Sequence, residues 1–231
     1  MSESLRTTTV YAPSGALAQE RNRVLRNTYW LLSLSMVPTV LGAWFGLATG
    51  ITRAMSPGIG LIVFLAGAFG FMFAIEKTKN SAAGVPVLLA FTFFMGLMLS
   101  RLVGTVLGLG NGASLVMTAF AGTGAIFLGM ASLSSIIKRD LSAMGKWLFI
   151  GAVMLLVAGI ANFFIQSSAL MITLAVLAIG IFSLFILHDL KRVQDGLETN
   201  YVSATLGVYL SIYNVFQSLL MLLGISGGRD E

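Results

Sequence analysis

Residues 147–187 read WLFIGAVMLLVAGIANFFIQSSALMITLAVLAIGIFSLFIL, and this stretch contains no charged side chain. A membrane-spanning helix needs about 20 predominantly apolar residues, so the stretch is long enough to cross a bilayer twice. Its polar interruption, Gln166-Ser167-Ser168, predicts a turn between spans at 146–166 and 169–187. Because a backbone in lipid must satisfy its hydrogen bonds within the segment, both spans should be α-helices.

The rest of the chain repeats this pattern. Apolar residues make up 57% of the sequence and charged residues only 10%, whereas a soluble domain carries about 25% charged residues. This composition excludes a soluble enzyme and intrinsic disorder, and it argues against a transmembrane β-barrel, whose strands alternate. It predicts an all-α membrane protein with seven spans, and Ser56-Pro57 marks the start of the second. The spans are expected at 28–51, 57–75, 83–107, 114–137, 146–166, 169–187 and 202–224.

These spans divide the chain into a polar, flexible tail at 1–27, a transmembrane domain at 28–224 and a short C-terminal tail at 225–231. If the N-terminus is cytoplasmic, 11 of the 14 Lys and Arg residues fall on the cytoplasmic side, and only Arg53 and Arg229 fall in the segments on the far side. Basic residues favour cytoplasmic loops, so we expect this orientation. This orientation explains the excess of Lys and Arg, and no nucleic-acid partner is needed to explain it.

The last span carries a polar stripe. Its members recur every three or four residues and therefore share one helical face; they are Ser203, Gly207, Ser211, Asn214 and Ser218. Polar side chains facing lipid would be costly, so this helix should lie inside the bundle. The stripe then serves either interhelical packing and hydrogen bonding or a wet pathway.

Three further features have two interpretations each. Asp189, at the end of the sixth span, either gates an ion path or is solvated beside Lys191. Arg101 is expected to extend to the far interface as an anchor rather than to form an ion site. Glycines at four-residue spacing in the first span favour packing within the bundle over dimerisation; they are Gly42, Gly46 and Gly50.

The sequence lacks the residue combinations that catalysis requires. His188 is the only histidine, and Ser114 is predicted at the opposite face, so the two cannot form a nucleophile–base pair. Asp189 is the only acid near a span interior, which leaves an aspartyl-protease pair incomplete. The chain has no cysteine, no zinc-protease motif and no glycine-rich phosphate loop. We therefore expect no enzymatic activity, no cofactor and no bound metal.

Two segments carry a resemblance to a known family. The sequence VLRNTYWLLSL at 24–34 and the motifs within ETNYVSATLGVYLSIYNVFQSLL at 198–220 resemble the Bax inhibitor-1 superfamily, in particular its proteobacterial YccA-like branch. The resemblance covers essentially the whole chain. It implies a seven-helix bundle with the last helix in the centre, in the bacterial inner membrane, with the C-terminus in the periplasm.

The resemblance also implies a partner. YccA-like proteins modulate and inhibit the membrane-anchored AAA+ protease FtsH, and they are themselves its substrates through a cytoplasmic N-terminal tail. The tail at 1–27 would then be the segment that binds the protease; its basic residues nearest the membrane are Arg21, Arg23 and Arg26.

Other members of the superfamily imply an alternative function, a pH-sensitive calcium or cation leak controlled by two aspartates that share a proton. Asp189 matches the first aspartate, but Ser211 stands at the second position and supplies no negative charge. This departure argues against pH gating. Asp189 could instead accept a hydrogen bond from Ser211 or Asn214 and form a closed plug. A purely structural membrane protein is the third alternative.

Overall fold

The computed structural model describes residues 14–227, with side chains from Gln19 onward. Over this range the secondary structure is helical, without strands. The helices are α1 (Ser14–Thr49), α2 (Ile51–Ala54), α3 (Pro57–Thr78), α4 (Gly84–Leu107), α5 (Gly112–Ile136), α6 (Ser142–Ile165), α7 (Ser168–Gln194) and α8 (Tyr201–Gly227). Every helix except the short α2 is long and apolar enough to span a membrane, which confirms seven candidate spans.

Two helix boundaries differ markedly from the sequence prediction. α1 begins at Ser14 rather than at residue 28, and α7 continues past residue 187 to Gln194. Hydropathy falls where side chains become polar, but Ala, Leu, Gln, Glu, Lys and Arg still favour a helix. Polarity therefore marks the end of the membrane segment and not the end of the helix. Residues 1–13 of the predicted tail, and residues 228–231, lie outside the described range.

Side-chain caps fix two helix starts. The Ser56 hydroxyl accepts a hydrogen bond from the Ile59 backbone N–H (3.4 Å), and Pro57 occupies the first helical position, as the sequence predicted. The Ser167 hydroxyl accepts from the Leu170 backbone N–H (3.2 Å) at the start of α7. Each cap satisfies an N–H group that the first helical turn leaves without a partner.

The consecutive spans alternate in direction, so the bundle has two ends. We call the end with the loops 79–83, 137–141 and 195–200 the charged end, and the end with the turns 50–56, 108–111 and 166–167 the distal end. At the charged end, Asn200 Nδ2 donates to the Lys79 carbonyl (3.1 Å) and to Asn80 Oδ1 (2.8 Å). These bonds tie the α3–α4 loop to the start of α8.

Glycines bring α1 and α4 into backbone contact. A Cβ added at Gly42 would overlap a backbone carbonyl of α4, and one added at Gly96 would overlap the carbonyl of Thr39 on α1. Gly46 also faces α4, so Gly42 and Gly46 serve packing within the bundle, as predicted. Gly50 does not: it adopts a left-handed φ of 67° where α1 ends.

α8 packs against α1, α3, α4, α5 and α7, while α6 packs mainly against α7. The interior face of α8 is apolar and tightly covered, with Val208, Tyr209, Val215 and Leu220 essentially inaccessible to solvent. The polar groups of the candidate functional site lie on α8 and on α7.

Candidate functional site

Asp189 lies within α7 and faces α8. Its side chain is 17% exposed, and its Oδ1 lies 3.1 Å from His188 Nδ1. On the other side, a Cβ added at Gly207 would stand only 2.7 Å from Asp189 Oδ2. The carboxylate is therefore enclosed between the imidazole and the polar stripe of α8, and it does not lie in a solvated loop.

His188 connects this carboxylate to a third helix. Its ring is buried, and a Cβ added at Gly145 of α6 would lie 2.6 Å from Nε2. The sequence indicated His188 only as a candidate catalytic base, and its position between Asp189 and Gly145 was not predicted. The available signal was its adjacency to the one acid near a span interior.

Ser211 and Asn214 do not bind Asp189. The Ser211 hydroxyl donates to the Gly207 carbonyl (3.0 Å), and Asn214 Nδ2 donates to the Leu210 carbonyl (2.8 Å). The sequence left open a hydrogen bond from either residue to Asp189, and the structure has none between these side chains. A short polar side chain in a helix can reach the carbonyl four residues earlier, and this local bond competes with one between helices.

The structure places all five stripe residues away from the exposed surface. Ser211 and Ser218 are buried, and Ser203, Gly207 and Asn214 are half-buried. The Ser203 hydroxyl oxygen is shielded from solvent and has no hydrogen-bond partner among the described residues. Gly207 of the stripe lies against the Asp189 carboxylate.

Two tyrosines on another part of α8 connect it to α1 and α4. The Tyr209 hydroxyl lies 2.9 Å from Thr39 Oγ1, and the Tyr213 hydroxyl donates to the Met95 carbonyl (3.4 Å). Both side chains are buried. These bonds satisfy polar groups that would otherwise be unpaired in the hydrocarbon interior.

The three arginines of the proposed partner segment are exposed on α1 at the charged end; they are Arg21, Arg23 and Arg26. Val24, between them in sequence, is buried in a small apolar cluster with Val193 of α7 and Ala204 of α8. α1 is thus docked at Val24, with ten helical residues, 14–23, ahead of this point.

The chemistry available here is that of one carboxylate paired with one imidazole. Over residues 14–227 there is no group of three His, Cys, Asp or Glu side chains that could hold a metal ion. At the position where the family resemblance implies a second aspartate, this chain has Ser211, which carries no carboxylate to share a proton with Asp189.

Comparison with known proteins places these features in context. The profile of the family described as "Inhibitor of apoptosis-promoting Bax1" matches residues 21–228. This match includes α2 to α8 in full and α1 from residue 21 onward.

Individual relatives align over most of their length. The chain is 38% identical over 209 residues to "Modulator of FtsH protease YccA" of Escherichia coli K12, covering 90% of this chain and 92% of the relative. An "Inner membrane protein YccA" from Escherichia coli O6:H1 aligns with the same identity and coverage. A membrane protein of Vibrio cholerae is 36% identical over 211 residues, which cover 91% of this chain and 93% of that protein.

Proposed function

Since the chain belongs to the Bax inhibitor-1 family and is a multi-pass protein of the bacterial inner membrane, we propose that it is a non-enzymatic modulator of the membrane protease FtsH. The observation that carries this proposal is the 38% identity, over 90% of the chain, to a protein named as a modulator of that protease. In this proposal the protein binds FtsH, restrains its degradation of other membrane proteins and is itself a substrate.

The first turns of α1 belong to the segment from which, in this proposal, the protease starts degradation; we call this segment the handle. This proposal includes a cytoplasmic N-terminus, which the concentration of basic residues at the charged end supports. Residues 14–23 precede the docking point at Val24 and extend for about 15 Å as a helix. Arg21 and Arg23 are exposed, so the positive charge of this segment is accessible to a partner.

The proposed centre of the bundle is α8. Its packing against α1, α3, α4, α5 and α7 supports this arrangement, as do its buried polar side chains. A central α8 would leave the outer surfaces of the other helices for lipid and for the partner.

Deletion of residues 1–20 tests the handle directly. The deletion ends before Val24, so the apolar cluster at the charged end keeps its contacts. We expect the shortened protein to persist longer than the full chain in cells with active FtsH, because the protease loses the segment from which it starts. The measurement is the decay of each protein after synthesis is stopped.

Two controls accompany the deletion. In cells with proteolytically inactive FtsH, the shortened and full-length proteins should decay equally. A full-length variant with Arg21, Arg23 and Arg26 changed to Gln separates the charge of the segment from its length. An unchanged lifetime of the deletion variant in cells with active FtsH would contradict the handle.

A cation leak is the second candidate function, and one observation favours it: the Asp189 carboxylate lies against Gly207 of the polar stripe. We expect Asp189→Asn to alter calcium flux into liposomes that hold a calcium-sensitive dye, if this path conducts. Asp140→Asn, the same substitution at an exposed carboxylate of the charged end outside the stripe, is the matched control and should leave the flux unchanged. Flux no greater than that of protein-free liposomes between about pH 5 and 8 would eliminate the leak.

A further inference from the structure

A cleft opens near the distal end of the bundle, between α3 and α6, with α4 and α8 as its floor. Its volume is about 330 Å³, which falls within the range of small-molecule sites, about 300–1,000 Å³. We call it the distal cleft and define it by the polar residues Arg101, Tyr213 and Gln217 and the apolar residues Phe64 and Phe163.

The packing of the outer helices leaves this cleft open. α3 packs mainly against α4, and α6 packs mainly against α7. Phe64 of α3 and Phe163 of α6 form two of its apolar walls. The cleft therefore lies within the membrane-spanning part of the bundle, where lipid chains surround the protein.

The two longest polar side chains of the cleft lie at nearly the same depth. The Tyr213 hydroxyl bonds to the carbonyl of Met95, which places this part of α8 beside the parallel α4. Gln217 lies about 6 Å further along α8 than Tyr213, Arg101 lies about 9 Å further along α4 than Met95, and both side chains line the cleft. A ligand group at this depth could meet both side chains.

Arg101 is positively charged, and no described residue at the distal end has a negative charge to balance it. It precedes the end of α4 at Leu107 by six residues, or about 9 Å. The described carboxylates all belong to the charged end; they are Glu20, Glu76, Asp140, Asp189, Asp195 and Glu198. Within residues 19–227, neither the Arg101 guanidinium nor the Gln217 amide has a hydrogen-bond or ion-pair partner.

Arg101 is exposed, and its long side chain can extend to the distal interface, where an anionic group would balance its charge. A guanidinium binds a phosphate through two parallel charge-assisted hydrogen bonds. The walls of the cleft are apolar and suit a hydrocarbon chain. A free inorganic anion would leave these walls without a partner, and Arg101 would repel a metal cation.

We propose that the distal cleft binds an anionic glycerophospholipid. Its phosphate accepts hydrogen bonds from Arg101, Gln217 donates to the adjoining ester region, and part of one acyl chain lies between Phe64 and Phe163. The proposal is independent of any protease partner.

The full-length protein, purified in mild detergent, tests the site by native mass spectrometry with added phosphatidylglycerol. We expect Arg101→Gln to weaken retention of this lipid about tenfold, which corresponds to about 1.4 kcal/mol, since the charge-assisted hydrogen bonds to the phosphate are lost. Arg101→Lys, which keeps the charge, should restore part of the retention. Diacylglycerol, which has the same chains without the phosphate, should bind weakly to the native protein and show no dependence on Arg101.

Two other variants complete the test. Arg53→Gln removes the other described cation of the distal end, which does not line the cleft, and should leave retention unchanged. Gly60→Leu should abolish retention while Arg101 is intact, because a Cβ at Gly60 already lies 3.8 Å from Arg101 Nη1. Equal retention by Arg101→Gln and the native protein would overturn the proposal. Displacement of the lipid by glycerol phosphate at equal concentration would overturn the role of the chain.

Discussion

At the scale of single residues, Asp189 of α7 lies in close contact with Gly207 of α8. The carboxylate has the His188 ring on one side and the backbone of Gly207 on the other. The ring in turn rests against Gly145 of α6. Three helices therefore meet around one acidic side chain, and the small residues on α6 and α8 make the approach possible.

We predict that Gly207→Ala destabilises the protein. The new methyl carbon would lie 2.7 Å from Asp189 Oδ2, and His188 limits the movement of the carboxylate. Overpacking typically costs about 1–3 kcal/mol, and we expect the lower part of this range because a carboxylate can rotate. The melting temperature in detergent, followed by circular dichroism, should fall by about 2–4 °C.

Gly180→Ala is the matched control, because nothing lies within 4 Å of a Cβ at this position of α7. Its melting temperature should not fall, since alanine favours a helix more than glycine does. The double variant Gly207→Ala, Asp189→Ser should recover part of the loss. A melting temperature of Gly207→Ala equal to that of the native protein would show that the contact is loose.

The sequence indicated some of these residues but not how they pair. The spacing from Ser203 to Ser218 predicted a shared polar face, because helical periodicity is a local property. That Gly207 meets Asp189, while Ser211 and Asn214 bond within α8, depends on the rotation of one helix against another. Periodicity within one span does not contain that information.

At the scale of helices, hydropathy located every span because a bilayer sets a minimum apolar length. It misplaced the start of α1 and the end of α7, where polar helix-forming residues continue the same helix. For Gly42 and Gly46 the sequence predicted close packing. It could not identify α4 as the partner, because that contact joins helices that are not consecutive in the chain.

The hydrogen bond between the Tyr209 hydroxyl and Thr39 Oγ1 (2.9 Å) joins α8 to α1, and its contribution to helix packing can be measured. We predict that Tyr209→Phe and Thr39→Val each destabilise the protein and that the double variant loses less than the sum. Interhelical polar pairs in membranes couple by about 0.6 kcal/mol on average. Unfolding midpoints of all four proteins in mixed micelles give the coupling energy.

Tyr201→Phe combined with Thr39→Val is the comparison cycle. The Tyr201 hydroxyl has no hydrogen bond in the described part of the chain, so its coupling to Thr39 should be near zero. Similar coupling in both cycles would contradict a specific role for the Tyr209–Thr39 bond.

At the scale of the whole molecule, seven spans, an odd number, predict that the two ends of the chain lie on opposite sides of the membrane. The sequence contains no cysteine, so a single introduced cysteine has a unique reactivity. Glu20 and Ser226 are both exposed and lie at the two ends of the bundle. They are therefore suitable positions for measuring the orientation.

We predict that Ser226→Cys reacts with a membrane-impermeant maleimide in cells with a permeabilised outer membrane. Glu20→Cys should react only after the inner membrane is broken, because basic loops remain in the cytoplasm. Labelling of both residues before lysis would refute the seven-span topology. The reverse pattern would keep the topology and invert the orientation.

The packing of α8 has a consequence for biosynthesis. A ribosome makes this helix last, yet α1, α3, α4, α5 and α7 all pack against it. Until translation reaches Tyr209 and Tyr213, α1 and α4 lack the hydrogen bonds that these two hydroxyls make to Thr39 and to the Met95 carbonyl. A chain that ends before Tyr201 therefore contains the first six spans but lacks the helix against which five other helices pack. The earlier helices alone cannot complete the bundle.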